Sequence, residues 1–353
     1  MIHFISMNPR SIYLFCKRHL TTLIFLGGFF SDAFLLPDVD NPITKYIGLS
    51  YLVILAVLLL LREIIIASNR ASRAEQKMYS LLSFGVAFFS GSSLSFIFVY
   101  AMRSAALSVS WPLFIILMLC MAANEFISVH NYRFTLDIAV FFIALAFYAI
   151  FNVPILFSTV TDTVFLVAIG ISVLFAMLFV WLLKHTSETA WYEAPRGYAL
   201  AVGVPLFIGM LYVLNLIPAV PLSLKDAGIY NNVIRTERGE YELVGEAPGR
   251  FEWLRNHKHT IKPRDDGVYF YSAISAPAEF SAPISHVWEY HDPTTNSWIE
   301  STTISFDLSG GRVDGYRAYS KKQNITDGLW RVTVKVDDKR IVGRKTFEVT
   351  RQQ

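Results

Sequence analysis

Residues 54–61 spell ILAVLLLL, an unbroken apolar stretch at the centre of a longer run from about residue 46 to residue 66. A run of about 20 apolar residues can cross the ~30 Å hydrocarbon layer of a membrane as one α-helix. Lipid offers no hydrogen-bond partner to the backbone, so a crossing segment must pair its own peptide groups, which a helix does. This stretch therefore predicts an integral membrane protein.

Six further apolar runs of similar length flank it along the first 221 residues. Those 221 residues contain 22 charged side chains, whereas residues 222–353 contain 37. A soluble domain carries about 25% charged residues, so the first part has the composition of an α-helical polytopic membrane domain and the second that of a soluble domain. The seven predicted spans cover residues 20–36, 46–66, 79–101, 107–129, 136–157, 163–183 and 198–218.

Lysine and arginine residues in the short loops predict the orientation of the spans, because short basic loops resist translocation. Ten of the twelve basic residues before position 222 fall on the side of the N-terminus, and Lys45 and Arg103 fall on the other. We therefore expect a cytoplasmic N-terminus and, after an odd number of spans, a C-terminal domain outside the cytoplasm. The ten are Arg10, Lys17, Arg18, Arg62, Arg70, Arg73, Lys77, Arg133, Lys184 and Arg196.

The first apolar run also has features of a signal peptide. Lys17 and Arg18 precede it, and Ser31-Asp32-Ala33 follows it. Cleavage after Ala33 would leave six spans and keep the C-terminal domain on the same side. Because the chain before this run is long for a signal peptide, we favour its retention as the first span.

Four ionisable residues lie near the cytoplasmic ends of predicted spans. A charged group inside a bilayer costs about 2.5 kcal/mol or more, so these residues are candidates for transport or catalysis. They are also explained as helix-end charges at the lipid headgroups, with Arg62 or Arg133 paired to a nearby glutamate, and we favour this interpretation. Their spacing matches no zinc-binding motif, so we expect no metal and no cofactor. The four are Glu63, Glu125, His130 and Asp137.

The third span contains small residues four positions apart, Gly91 and Ser95. Small side chains at this spacing let two helices approach closely, and a polar transport groove uses the same residue types. Since the spans have no internal repeat, which many transporters have, we favour helix packing as their role.

From residue 267 onward, apolar and polar residues alternate, which is the period of a half-buried β-strand. Turn-forming residues separate the alternating stretches, and residues 337–339 form a predicted hairpin turn. This pattern predicts a small all-β, immunoglobulin-like sandwich over residues 267–353, joined to the membrane domain by a linker with short elements over residues 222–266. The predicted strands cover residues 268–274, 284–290, 298–308, 312–320, 329–336 and 340–350.

Three of these strands carry a recognisable combination of residues. The second strand contains HVWEY at 286–290, the fourth contains YRAYS at 316–320 and the fifth contains GLWRV at 328–332. Over about residues 267–350 the chain resembles a bacterial C-terminal domain family catalogued as a domain of unknown function, number twenty-nine-fourteen. The resemblance implies a bacterial origin and hence a periplasmic or outer-surface C-terminal domain. Together with the predicted spans, we expect a protein of the bacterial cytoplasmic (inner) membrane with this domain in the periplasm. The resemblance implies no established activity, substrate or cofactor.

Five residues of the predicted sandwich could form a binding site, because aromatic faces beside hydrogen-bonding groups suit sugars or peptides. His286 is equally well explained as a core histidine whose nitrogens are paired, and both interpretations stay open. Glu289 points away from His286, so the pattern offers no catalytic triad and we expect no catalytic residue. The five are His286, Trp288, Arg317, Tyr319 and Ser320.

The sequence therefore predicts a membrane protein, not an enzyme, whose periplasmic β-domain binds a protein or a glycan of the cell envelope. On this interpretation the lipid bilayer is a further partner. Nucleic acid is not expected as a partner, because a net charge of +3 is too small to suggest it. The alternative is a membrane-embedded transporter or lipid-modifying enzyme that uses the four ionisable residues near the cytoplasmic face, with the β-domain as an accessory.

Overall fold

The computed structural model describes most of the chain and divides it into two compact units. A helical unit includes the described residues up to 100, those from 112 to 152 and residues 166–211, and a second unit includes residues 101–103, residues 153–165 and the described chain from residue 212 onward. The described residues are 19–35, 42–67, 72–103, 115, 119, 130–159, 161–214, 222–236, 240–245, 259–263, 267–276, 280–309 and 315–350.

Six α-helices occur in the described part of the first 221 residues. Five of them, α2 to α6 in the order given below, are long and apolar enough to cross a membrane. The first helix has 16 residues and extends about 24 Å, which is less than the hydrocarbon thickness. The helices are α1 Leu20–Leu35, α2 Pro42–Ala67, α3 Arg73–Arg103, α4 His130–Phe157, α5 Asp162–Lys184 and α6 Glu188–Val213.

The prediction of seven spans is therefore not supported, because the described residues provide five. The predicted first span corresponds to the short helix α1. The predicted fourth span, 107–129, lies outside the described residues except for Ile115 and Leu119. The other five predicted spans each correspond to one helix from α2 to α6.

Helices α1 and α3 approach each other at two glycines. A Cβ atom on Gly28 would lie 2.1 Å from the carbonyl oxygen of Phe88, and one on Gly91 would lie 2.0 Å from that of Phe25. The Ser92 hydroxyl donates a hydrogen bond to the Gly28 carbonyl at 3.2 Å, which adds a polar contact between the two helices. The packing role predicted for Gly91 is confirmed, since no larger residue fits at this contact.

Contacts between α2 and its neighbours fix the directions of three helices. Gly85 of α3 faces Leu58 and Gly48 faces Phe96 of α3, so α2 and α3 are antiparallel. Helix α4 is also antiparallel to α2, because Asp137 contacts Arg62 and the Tyr148 hydroxyl donates to the Lys45 carbonyl at 3.3 Å. Helices α3 and α4 consequently run in the same direction, and the end of α3 and the start of α4 lie at opposite ends of the helical unit.

The described part of the second unit contains ten β-strands. They are β1 Ser223–Tyr230, β2 Asn232–Arg235, β3 Tyr241–Val244, β4 His259–Ile261, β5 Val268–Ser275, β6 Ser281–Asp292, β7 Ser297–Ser309, β8 Tyr316–Lys322, β9 Gly328–Val336 and β10 Arg340–Val349. One sheet has the order β1-β5-β8 and another the order β4-β10-β9-β6-β7, and β2 pairs with β3. Only β4 and β10 pair in parallel among these described strands.

The two larger sheets enclose an apolar core and form a β-sandwich. Trp288 of the five-stranded sheet lies edge-on to Phe270 of the three-stranded sheet, with ring centroids 6.4 Å apart. Alternate residues of β9 from Trp330 to Val336 are buried in this core, as the alternation predicted. The predicted turn is also confirmed, since Asp337 and Asp338 have φ angles of 50° and 53°, the left-handed conformation of a tight hairpin.

The stretch predicted as a linker with short elements, residues 222–266, contributes strands to the second unit, and the two predicted short elements correspond to β2 and β3. Strand β1 pairs along its length with β5, and β4 pairs with β10. The hairpin of β2 and β3 lies against the three-stranded sheet through Val233, Tyr241 and Leu243. Each of the six predicted strands from residue 267 onward corresponds to a strand of the structure.

Candidate functional site

Three of the five predicted binding residues meet inside the sandwich. His286 Nδ1 lies 3.0 Å from the Ser320 hydroxyl, and Nε2 lies 2.9 Å from the Ser272 hydroxyl. The Trp288 indole N–H donates to the same Ser320 oxygen at 3.0 Å. These four residues, the buried polar cluster, join β6 of one sheet to β5 and β8 of the other.

The surroundings of His286 are apolar and closed to solvent. Its ring is 0% exposed and meets the rings of Phe270 and Phe306 edge to face, each at 4.7 Å between centroids. Burial lowers the pKa of His286 to about 3, so the imidazole is neutral at physiological pH. The structure thus agrees with the core interpretation of His286, and Trp288 and Ser320 belong to the same interior.

Arg317 and Tyr319 lie on the opposite face of β8 from Ser320. Tyr319 is 41% exposed, whereas Arg317 is half-buried. The Tyr241 hydroxyl donates to the Arg317 carbonyl at 3.4 Å, and the Tyr241 and Tyr319 rings lie 5.9 Å apart. The five predicted residues therefore do not form one surface, because strand alternation divides them between the core and the outside.

Tyr319 belongs to a group of tyrosines that the sequence did not reveal as a site. The tyrosine face consists of Tyr230, Tyr241, Tyr269, Tyr271 and Tyr319, between the three-stranded sheet and the hairpin that covers it. Tyr319 is its exposed member, whereas Tyr230, Tyr269 and Tyr271 are buried. Successive rings along the face lie between 5.7 and 6.4 Å apart. Because Tyr230 and Tyr241 lie in the stretch predicted as a linker, the sequence did not indicate that the five tyrosines come together. Burial and the neighbouring Asp226 raise the pKa of Tyr230 to about 12.

The outer face of the five-stranded sheet carries a charged cluster. Glu289 accepts two hydrogen bonds of 2.6 Å from the Arg331 guanidinium and one of 2.7 Å from the Thr333 hydroxyl. Burial by itself raises the pKa of Glu289, but these bonds and the charges of Arg331 and Arg344 outweigh it and hold the pKa below its usual range. Arg331 also lies over the Trp298 ring, 4.3 Å from its centroid. Sequence alternation placed Glu289 on this face but did not identify its partners.

Two of the four predicted membrane residues meet in the helical unit. Arg62 donates to Asp137 at 2.5 Å, and its Nε lies 3.6 Å from a Glu63 carboxylate oxygen. All three side chains are buried. Glu125 and the side chain of His130 lie outside the described residues. No group of three or more possible metal ligands occurs within the described chain.

Comparisons with known proteins identify the C-terminal region. Residues 281–349, from β6 to β10, match a family described as Protein of unknown function (DUF2914), which confirms the resemblance seen in the sequence. No curated protein matches the chain.

Two solved structures align with the chain at low similarity. An immunoglobulin-like protein from Pseudomonas aeruginosa is 15% identical with a TM-score of 0.24, over 37% of this chain and 98% of that one. An alkylpurine DNA glycosylase from Pseudomonas fluorescens, bound to DNA with an abasic site analogue, is 12% identical with a TM-score of 0.19, over 87% of this chain and 98% of that one. Scores this low assign neither fold nor function.

Proposed function

We propose that this chain is a bacterial inner-membrane protein that holds its β-sandwich in the periplasm, where the tyrosine face binds a glycan of the cell envelope. The observation that carries the proposal is the exposed ring of Tyr319, which lies beside Arg317 on a face built from tyrosines. An aromatic ring bordered by hydroxyl and guanidinium groups can stack against a sugar ring and hydrogen-bond to its hydroxyls.

A glycan suits this face better than a protein does. Protein interfaces bury a contiguous patch of large apolar and aromatic side chains. Among the described residues of the sandwich, the large apolar or aromatic side chains with more than a third of their surface exposed are Ile234 and Tyr319. Two such residues are too few for a stable protein interface, whereas a single exposed ring can hold one sugar.

Basic residues support the orientation in this proposal. Ten lysine and arginine residues lie in one set of loops or near the helix ends beside them, two lie near the other set, and the excess supports the assignment of the cytoplasmic side. The parallel course of α3 and α4 supports a further crossing between them, which gives an odd number of crossings if α1 also spans the membrane. With a cytoplasmic N-terminus, an odd number of crossings places the sandwich in the periplasm.

Retention on immobilised envelope polysaccharides tests the proposal, with the full-length protein in detergent. We expect Tyr319→Ala to reduce retention at least about fivefold, because stacking contacts of an aromatic ring are worth about 1 kcal/mol or more. Ile234→Ala is the matched control, since it removes the other exposed apolar side chain and should retain the glycan normally. Equal retention of the two variants would show that the tyrosine face is not the glycan-binding site. If no glycan is retained and position 319 crosslinks to one envelope protein, the partner of this face is a protein and not a glycan.

The buried ion pair of Arg62 and Asp137 favours a second candidate, a transport or lipid-modifying function of the helices. Glu63 adds a second carboxylate beside the same guanidinium, and buried charges in a membrane domain are commonly functional. Deleting residues 222–353 discriminates the two candidates. A cellular phenotype that survives the deletion would favour the helices, and its loss with normal membrane insertion would favour the sandwich.

A further inference from the structure

His286 is the central member of a polar link between the two sheets of the sandwich. Its two nitrogens reach Ser272 on β5 and Ser320 on β8, both in the three-stranded sheet, while His286 lies on β6 of the five-stranded sheet. Trp288 adds a second bond from β6 to Ser320. Among the described residues, the buried cluster around this link consists of apolar side chains.

The surroundings of the link favour a neutral imidazole. A neutral ring has one N–H donor and one acceptor nitrogen, so one serine hydroxyl donates to the ring and the other accepts from it. A protonated ring has two donors and no acceptor, so the serine that donates to the neutral ring would have to turn its hydroxyl hydrogen towards another acceptor. Both serine oxygens could still accept from the ring, and the larger cost of protonation is a positive charge buried between Phe270 and Phe306.

No aspartate or glutamate is buried among the described residues of the sandwich, so the core offers no carboxylate to a protonated ring. Strand β5 contributes Phe270 and Ser272, β7 contributes Phe306 and β9 contributes Val334, which pairs with His286. The partly buried phenols Tyr290 of β6 and Tyr316 of β8 pack against the same core. A phenol carries no charge in acid and cannot act as a counter-ion for an imidazolium.

We propose that His286 is an acid-sensitive lock of the sandwich, and that its protonation, which would place a buried positive charge at the polar link, lets the two sheets separate. The sign follows from the two states of the protein. Unfolded histidine takes up a proton near pH 6.5, and folded His286 resists it down to a pKa of about 3. The contribution of His286 to stability is therefore complete above pH 6.5 and is lost as the pH falls towards 3. Within that window the folding equilibrium constant falls about tenfold per pH unit from this group alone.

Unfolding of the sandwich in the full-length, detergent-solubilised protein tests the lock. Tryptophan fluorescence reports urea unfolding at pH values from 7.5 to 4.5. His286→Gln keeps hydrogen-bonding groups but cannot titrate, so we expect its pH dependence to be shallower than that of the natural protein by about tenfold per pH unit. His291→Gln is the matched control, because His291 lies on the same strand with its ring against Trp298 on the outer face, and its slope should stay near that of the natural protein. Equal slopes for the natural protein and His286→Gln would overturn the proposal.

A second measurement on the natural protein applies even if His286→Gln does not fold. With histidine ring carbons labelled, the nuclear magnetic resonance signal of His286 should stay at the neutral position down to the pH at which the sandwich opens. Substituting each of the other seven histidines singly identifies their signals, and the remaining signal is that of His286. A signal that titrates near pH 6.5 while the sandwich remains folded would show that the ring is accessible, and the lock would be rejected.

Discussion

Glu289 connects three side chains on the outer face of the five-stranded sheet. It pairs with Arg331 through two parallel hydrogen bonds and also accepts from Thr333. Arg344 lies close enough to repel Arg331, and burial together with this repulsion lowers the pKa of Arg344. One carboxylate thus balances two guanidinium groups, and its removal would leave both without a compensating charge.

We expect Glu289→Gln to destabilise the sandwich by about 1–2 kcal/mol, because a half-buried guanidinium loses its charged acceptor. Urea unfolding at neutral pH measures the change. Glu300→Gln is the matched control, since Glu300 is the cross-strand neighbour of Glu289 and is exposed. Its effect should stay within about 0.5 kcal/mol. The folded pKa of Glu289 is lowered, so its contribution is present at neutral pH and the difference from the natural protein should shrink as the pH falls below about 4. An equal loss in both variants would contradict this role.

Side-chain partners were harder to predict than side-chain directions. Alternation correctly placed His286 and Trp288 on one face of the strand and Glu289 on the other, because successive residues of a strand point to opposite faces. It could not select between a core and a binding role for His286. That choice depends on Ser272 and Ser320, which are 14 and 34 residues away in sequence and lie on the other sheet.

Helix α1 depends on Gly28 for its contact with α3. We expect Gly28→Ala to force the helices apart and cost about 1–3 kcal/mol, because its Cβ would lie 2.1 Å from a backbone carbonyl oxygen. Gly27→Ala is the matched control, since the adjacent position has no atom within 4 Å of its Cβ. The thermal aggregation midpoint of the detergent-solubilised protein measures both. A midpoint equally high for the two variants would show that the α1–α3 contact does not stabilise the helical unit.

Strand β1 was missed because its residues do not alternate regularly. A β-bulge between Leu224 and Asp226 shifts the register with β5 by one residue. Leu224 and Ile229 therefore both face the core although they are an odd number of residues apart. Strand β4 has three residues and pairs in parallel with β10, so its partner is distant and its own pattern too short to detect. The long apolar helices were predictable because each is an apolar run of about 20 residues, and the six regular strands because each alternates over several residues.

The distribution of charge along the whole chain bears on the side of the membrane that the sandwich occupies. Each basic residue near the anionic cytoplasmic leaflet contributes about 1 kcal/mol, so an excess of eight in one set of loops strongly favours one orientation. Residues 222–353 contain no cysteine, and the sandwich can therefore fold in an oxidising compartment without disulfide formation. Both features agree with a periplasmic sandwich.

Reporter fusions test this orientation directly. We expect alkaline phosphatase fused after Gln353 to be active and a fluorescent protein that matures only in the cytoplasm to stay dark there. The matched control is the same pair of reporters fused after Arg70, between α2 and α3, where the basic residues predict the cytoplasmic side. At that position the phosphatase should be inactive and the fluorescent protein bright. The opposite pair of results at Gln353, with the expected pair at Arg70, would require an even number of crossings. The tyrosine face would then lie in the cytoplasm, where no envelope glycan could reach Tyr319.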